Sequence, residues 1–422
     1  MNRQTQTAGN RQVAVLMYLS NAWGGGSESH VYWLTLALLD RGARVTLAVQ
    51  SRFASDPGRR SALVAAGVEF LWLPQLRGPR KAAALARLIF LYWRLRGRRF
   101  DVVLAHGNGS TNYHLRHFAR PTGRFVWHDH FFGAQFSGVI PDYFEQPVLG
   151  VFPEGLRRSV MAADVVVVGS EAGANNLRTL QGCRSEISVA PPLAAVAPMN
   201  AVNRAYNRDS VLRLGLFAFA LDHRKGVPQL LNLWDTVHAG PCELHLWGND
   251  TRNELEERSR RLGLRNVYFH GAFQPSDLPQ LMEATDLGLV LSIHEGYPLS
   301  AWEFMAFGVP FVITPAGAAV EFTTNNTDSE LADFSPQGVR AAIEKLAERV
   351  RSGQTSRRRL QELQRSKFSF ESAIERHLSY CLPGSITNAG QMLQSFEDSW
   401  VSAAVESGVN RNRAGVDLGE IC

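Results

Sequence analysis

The sequence predicts two α/β domains in tandem, each a Rossmann-like, doubly wound parallel sheet. Short, continuous apolar runs alternate with amphipathic segments of helix length along most of the 422 residues. Such runs are typical of parallel strands that helices cover on both faces. The alternation stops once, in a stretch rich in Pro and Ala, and then restarts. The length and the 45% hydrophobic content are enough for two cores.

The first domain is predicted over residues 11–192. Val13–Leu19 is a buried strand followed by a Gly-rich turn, and Ser29–Arg41 is a helix because its apolar residues recur at helical spacing. Gly42 is then a suitable helix C-cap. The other predicted strands are Arg44–Val49, Val68–Leu73, Val102–His106, Phe125–His128, Val165–Gly169 and Ile187–Ala190.

Residues 193–210 are the predicted linker, because Pro191 and Pro192 end the pattern and little periodicity follows. The second domain is predicted over residues 211–367, followed by a C-terminal helix at 368–384 and a tail at 385–422. Its predicted strands are Arg213–Phe219, Glu243–Trp247, Val267–His270, Leu287–Leu291 and Pro310–Ile313, and its helices include Pro228–His238 and Asn253–Leu262.

The cysteine pattern and the N-terminus indicate a cytoplasmic protein. The four cysteines are far apart, so neither a disulfide framework nor a structural zinc site is expected. The polar N-terminus lacks an apolar run of signal-peptide length, and no run is long enough for a spanning helix. The net charge of +5 fits ordinary solubility, or a partner that carries phosphate or anionic lipid.

Two glutamates flank the start of a helix in the second domain. Glu295 follows the strand Leu287–Leu291, Pro298 suits the first turn of a helix, and Glu303 lies about two turns later. Each carboxylate can accept hydrogen bonds from two sugar hydroxyls, and the helix N-terminus between them favours a diphosphate. The alternative is an ordinary surface helix with two solvated glutamates.

The segment EGYPLSAWEFMAFGVPFV resembles the E-x7-E signature of the family 4 retaining glycosyltransferases, which have the GT-B fold. The matching residues are Glu295, Gly296, Glu303, Met305, Ala306, Gly308 and Pro310. The resemblance implies two domains that face a central cleft. It places Glu295 on the transferred sugar and Glu303 on the ribose. Gly296 is a further donor-binding residue, and the helix N-terminus at Leu299 and Ser300 would lie on the diphosphate.

The loop after the strand Arg213–Phe219 resembles the Arg- and Lys-containing diphosphate loop of the same family. Lys225 and Gly226 match that loop. The upstream Gly-Arg of the family is missing, and Arg224 is the nearby cation that could replace its arginine. The alternative is a solvated basic turn.

The Gly-rich turn after the first strand resembles the family's N-terminal loop, which faces the donor phosphate. Gly25 and Gly26 would let the backbone approach a ligand, and the following helix N-terminus favours anions. The pattern is not GxGxxG, so a dinucleotide fingerprint is not predicted. A flexible turn is the alternative.

Histidines mark the ends of two strands in the first domain. His128 and His130 would share one face of a strand, but no third metal ligand is identifiable, so no metal is expected. The resemblance instead places a histidine near the transferred sugar. His128 matches best, His130 is the rival, and His106 is a candidate for the acceptor side.

The segment Arg77–Arg99 is basic and contains no acidic residue. It predicts the crossover helix before the strand at Val102, with its apolar side buried. Its basic face either is solvated or lies on an anionic membrane surface. The second alternative would place the protein peripherally at the inner membrane surface. No nucleic-acid module is visible.

The expected function is transfer of a hexose from a nucleoside-diphosphate sugar to a hydroxyl acceptor, a glycan or a lipid-linked saccharide, in polysaccharide biosynthesis. The resemblance implies retention of the anomeric configuration, with Glu295, His128 and Lys225 at the reacting centre and no metal or other cofactor. A nucleotide-sugar epimerase and a noncatalytic nucleotide-sugar-binding protein remain alternatives.

Overall fold

The computed structural model describes residues 12–19, 26–50, 57–74, 80–106, 111–130, 160–178, 185–193, 206–207, 209–250 and 253–382. The strands are β1 (Ala14–Leu19), β2 (Arg44–Gln50), β3 (Glu69–Leu73), β4 (Val102–His106), β5 (Arg124–Asp129), β6 (Val165–Val168), β7 (Glu186–Val189), β8 (Leu212–Ala220), β9 (Cys242–Asn249), β10 (Val267–Gly271), β11 (Leu287–Val290), β12 (Phe311–Ile313) and β13 (Ser329–Leu331).

The α-helices lie between these strands and after the last one. They are α1 (Gly26–Asp40), α2 (Pro57–Ala65), α3 (Arg80–Leu95), α4 (Thr111–Ala119), α5 (Glu171–Arg178), α6 (Val227–Leu233), α7 (Glu254–Arg261), α8 (Leu278–Ala284), α9 (Leu299–Phe307), α10 (Ala319–Thr323), α11 (Pro336–Arg351), α12 (Arg357–Lys367) and α13 (Phe370–Cys381). Within these described ranges, no helix is long and apolar enough to cross a membrane.

The strands form two parallel sheets. The first has the order β3-β2-β1-β4-β5-β6-β7 and the second the order β10-β9-β8-β11-β12-β13. The order reverses beside β1 in the first sheet and beside β8 in the second. Ligands of such sheets bind at the carboxyl ends of the strands next to these switch points. The prediction of two doubly wound α/β domains is confirmed.

The last helix returns to the first domain. Ile374 and Leu378 of α13 are buried in the same apolar cluster as Val31 and Leu34 of α1. The hydroxyl of Ser369 caps α13 by accepting from the amide of Ser372. The chain therefore crosses between the domains twice, once after β7 and once after α12.

Several predicted boundaries differ from the structure. Helix α1 begins at Gly26 rather than Ser29, and the predicted helix Pro228–His238 is α6 followed by a 3-10 turn at Trp234–Thr236. Strand β13 was not predicted, because three residues are too few to show a period. Residues 194–205 of the predicted linker and the predicted tail at 385–422 lie outside the described residues.

Candidate active site

The turn that carries Lys225 is fixed against the end of a neighbouring strand. The carboxylate of Asp222 caps it by accepting from the amides of Arg224 at 3.0 Å and Lys225 at 3.3 Å. Gly226 has a φ of +71°, and a Cβ there would lie 2.2 Å from the backbone oxygen of Leu291. Only glycine meets both conditions, so this glycine sets the position of Lys225 over β11.

Glu295 lies in the loop between β11 and α9, and its side chain is buried. Its Oε1 accepts from Nζ of Lys225 and, at 2.8 Å, from the hydroxyl of Ser292. The carbonyl of Ser292 in turn accepts from the hydroxyl of Thr314 at 2.6 Å. The carboxylate is therefore both neutralised and held in one orientation.

Glu303 lies on α9, and the charge of Lys225 acts on its carboxyl group as well. Burial raises the pKa of its carboxyl group to about 7, and the charge of Lys225 lowers it in part. Lys225 thus pairs with Glu295 and acts on Glu303 at longer range. A cation that is paired with one carboxylate and acts on a second, at the carboxyl end of a parallel sheet, suits a ligand that carries both a diphosphate and sugar hydroxyls.

The N-terminus of α9 meets the N-terminus of α1 across the two domains. Pro298 is the N-cap of α9 rather than part of its first turn, and no side chain caps the helix. A Cβ on Gly26 would lie 2.3 Å from Cδ1 of Leu299, so this glycine permits the contact. The helix begins at Leu299. That Leu299 and Ser300 bind a diphosphate stays a prediction. Gly25 lies outside the described residues.

Arg224 points toward its own turn. Its Nε and Nη2 donate to Oδ2 of Asp222 at 2.9 and 2.7 Å, and half of its side chain is exposed. The two adjacent cationic side chains therefore point in different directions, Lys225 toward Glu295 and Arg224 toward Asp222. The role of Arg224 in donor binding stays a prediction.

The loop that carries Gly296 also touches the first domain. The hydroxyl of Ser170, just after β6, donates to the carbonyl of Gly296 at 3.5 Å. The amide of Glu171 donates to Oε1 of Glu321 at 2.8 Å. The first contact joins the carboxyl end of the first sheet to the loop of Glu295, and the second joins it to helix α10.

The predicted histidines come together with two that the sequence analysis missed. His106 ends β4, and His128 is the last residue but one of β5. Their rings stack with centroids 4.3 Å apart, and His130 follows β5. His30 of α1 and His377 of α13 complete the cluster. Nitrogen atoms of His30, His128 and His377 lie within 4.8 Å of one another, a grouping that could hold a metal ion.

The fold and the site define a glycosyltransferase of the GT-B fold, in which two Rossmann-like domains face each other. The family model described as glycosyltransferase family 4 matches residues 24–193. The model described as glycosyl transferases group 1 matches residues 211–349. The two matches cover both domains, and the chain belongs to the family 4 glycosyltransferases.

Solved structures of similar fold cover most of the chain at low identity. HepE of Anabaena, in complex with UDP and glucose, is 18% identical with a TM-score of 0.64, covering 88% of this chain and 99% of that one. Sucrose-phosphate synthase of Thermosynechococcus elongatus is 18% identical with a TM-score of 0.69, and the match covers 88% of this chain and 98% of that one.

A sequence relative matches only a short part of the chain. Mannosylfructose-phosphate synthase of Agrobacterium fabrum is 41% identical over 66 residues, which are 15% of this chain and 14% of that protein's length.

Proposed function

We propose that this protein transfers a hexose from a nucleoside-diphosphate sugar to a hydroxyl of a glycan or lipid-linked saccharide, with retention of the anomeric configuration. The observation that carries the proposal is the position of Lys225, which is paired with Glu295 and acts electrostatically on Glu303. HepE, which was solved with UDP and glucose, supports a nucleotide-sugar donor.

The donor diphosphate would take the place beside Lys225 and the start of α9. Its negative charge would meet the ammonium group and the N–H groups at Leu299 and Ser300. Glu295 would then accept from hexose hydroxyls, with Gly296 beside it, and Glu303 from the ribose hydroxyls. Gly25 and Gly26 would bring the N-terminus of α1 to the phosphate from the first domain.

The chemistry follows from charge and positioning. The bond from the anomeric carbon to the phosphate oxygen breaks, a bond from the acceptor oxygen to the same face of that carbon forms, and the acceptor proton passes to the departing phosphate. Lys225 and the α9 N-terminus stabilise the charge that develops on the diphosphate. His128 holds the hexose from the other domain, and closure of the cleft excludes water.

No metal is required in this scheme, because a cation and a helix N-terminus already balance the diphosphate. Turnover that persists at full rate after dialysis against a chelator supports this part of the proposal. Loss of turnover that a divalent cation restores would contradict it.

Exposed apolar residues on helix α3 support the proposal that the acceptor is bound to a membrane. Leu85, Ile89 and Trp93 are 58%, 52% and 62% exposed and lie four residues apart, so they form one apolar stripe. Leu91 and Leu95 on the other side are fully buried, so only part of the predicted apolar side is covered. The guanidinium of Arg96 lies over the ring of Trp93, 5.4 Å from its centroid, so a cation borders the stripe. This suits an anionic inner membrane surface, where the protein would bind peripherally from the cytoplasm.

The experiment that tests the proposal begins with a thermal-shift screen of nucleotide sugars. A donor that binds the native state raises the melting temperature. The selected donor is then incubated with and without candidate acceptors, and nucleotide release and product anomers are followed by NMR. Acceptor-dependent release with retention is expected. Conversion of the free donor would identify an epimerase, and binding without release would identify a noncatalytic binder.

A further inference from the structure

The histidine cluster carries a hydrogen-bond chain that runs from the interdomain connection to His128. The cluster comprises His30, His106, His128, His130 and His377. Burial lowers the pKa of all five imidazoles, strongly for His30, His106 and His128 and to about 4 for His130 and His377. At neutral pH each ring is therefore uncharged and has one N–H donor and one acceptor nitrogen.

The backbone fixes the tautomer of the first ring. The amide of Leu193, where the chain leaves the first domain, donates to Nδ1 of His30 at 2.9 Å. An amide nitrogen can only donate, so Nδ1 of His30 accepts and its hydrogen is on Nε2.

The second tautomer follows from the first. Nε2 of His30 lies 3.3 Å from Nδ1 of His128. Since His30 donates there, Nδ1 of His128 accepts and the hydrogen of His128 is on Nε2. That nitrogen is buried and has no hydrogen-bond partner among the described residues. A buried donor left in this state marks a place where an acceptor oxygen would be stabilising.

The same bonds argue against a metal at His30, His128 and His377. Nε2 of His377 donates to the carbonyl of Pro191 at 2.8 Å, and its Nδ1 is bonded to the hydroxyl of Tyr380. A metal at Nε2 of His30 would displace the proton on a ring whose other nitrogen already accepts from an amide. Both nitrogens of His30 and both nitrogens of His377 therefore have hydrogen-bond partners. Of these three rings, His128 is the one with a nitrogen, Nε2, that has no partner among the described residues.

We propose that His30 is a positioning residue that holds His128 in its Nε2–H tautomer, so that His128 donates a hydrogen bond to an oxygen of the transferred sugar. The second half of this inference rests on the proposed function. The first half concerns the protein alone and is measurable without a substrate.

The test compares His30→Gln with His30→Phe. A glutamine can accept from Leu193 through its carbonyl and donate to His128 through its amide, whereas phenylalanine can do neither. ¹⁵N NMR of histidine-labelled protein, with the His128 signals assigned by His128→Gln, reports which ring nitrogen is protonated. Nε2–H is expected in the unchanged protein and in His30→Gln, and a mixture of tautomers in His30→Phe. His106→Phe changes a stacked neighbour of His128 but leaves the hydrogen bonds from Leu193 through His30 to His128 in place. His128 is therefore expected to keep its Nε2–H tautomer in this variant.

Steady-state kinetics of the same variants test whether the tautomer of His128 matters for sugar transfer. The lost hydrogen bond is expected to lower kcat in His30→Phe by about 10- to 100-fold with a smaller change in donor KM, while His30→Gln stays within about threefold of the parent. Nδ1–H on His128 in the unchanged protein would overturn the inference even if sugar transfer is observed. Nε2–H together with no transfer to any acceptor would leave the chain of bonds standing and overturn the proposed function.

Discussion

The ammonium group of Lys225 is ion-paired with the carboxylate of Glu295, 70 residues further along the chain. The pair joins the loops that follow β8 and β11, the two strands at the switch point of the second sheet. The hydroxyl of Ser292 donates to the same Oε1 of Glu295 at 2.8 Å. A charged pair that is fixed at a switch point is positioned for an anionic ligand and a polyhydroxylated one together.

Glu295→Ala is expected to abolish transfer while the protein stays folded. The variant loses the group that orients the hexose, and a fall in kcat of at least about 100-fold is expected. Steady-state kinetics with the selected donor, together with circular dichroism, are the measurements. Glu283→Ala, at an exposed glutamate on α8, is the matched control. Turnover by Glu295→Ala at the rate of that control would remove Glu295 from the mechanism.

Lys225→Met is expected to weaken donor binding by about 10- to 100-fold, because a charge-assisted bond to the diphosphate is lost. Lys225→Arg keeps the charge and should retain most of the affinity. Arg224→Met is the informative comparison, since Arg224 is bonded to Asp222 and a smaller effect is expected. Calorimetric titration of the donor measures all three. An equal loss in both methionine variants would show that Arg224 also contacts the diphosphate.

Glu303 predicts a pH dependence of stability. Folding raises the pKa of this carboxyl from 4.5 to about 7, so the folded protein binds the proton more tightly than the unfolded chain. Its contribution to the free energy of unfolding therefore falls as the pH rises between these values. Without donor, Glu303→Gln should be about 1 to 3 kcal/mol more stable than the parent above pH 7 and nearly equal at low pH. Urea unfolding with the same difference at both pH values would contradict this.

The exposed stripe of α3 predicts binding to anionic vesicles. Ile89→Ser with Trp93→Ser removes two apolar side chains, each worth about 1.5 to 3 kcal/mol when buried, so at least a tenfold loss of binding is expected. Val64→Ser on α2 is the control, since Val64 is 60% exposed, similar to Trp93 at 62%. Cosedimentation with phosphatidylglycerol and phosphatidylcholine vesicles measures the effect. Unchanged sedimentation of the double variant would exclude this surface.

The fold was predictable because its signals are local. Apolar runs such as Val102–His106 mark buried strands directly, and the segment from Glu295 to Gly308 carries its turn, helix and C-cap in consecutive residues. Gly308 has the left-handed φ of +73° that a helix C-cap of this kind requires. These features need no knowledge of distant contacts, and the helix and its C-cap lie where they were predicted, with Pro298 as the N-cap rather than in the first turn.

The site was only partly predictable, because its remaining partners are brought together by folding. His30 and His377 come from helices at opposite ends of the chain and reach His128 only after α13 returns to the first domain. Ser292 and Thr314 fix Glu295, and their one local signal is a polar residue one or two positions after a buried strand. Strand β13 is too short to show alternation.

We propose that Glu295 and Glu303 hold opposite ends of one donor. The most direct test is calorimetric titration of Glu295→Ala and Glu303→Ala with the donor selected by thermal shift and with its nucleoside diphosphate alone. We predict that Glu295→Ala weakens binding of the sugar nucleotide but not of the nucleoside diphosphate, whereas Glu303→Ala weakens both. Parent-like binding of both ligands by Glu303→Ala would show that Glu303 does not hold the nucleoside. Equal losses of both ligands in Glu295→Ala would show that Glu295 does not hold the sugar.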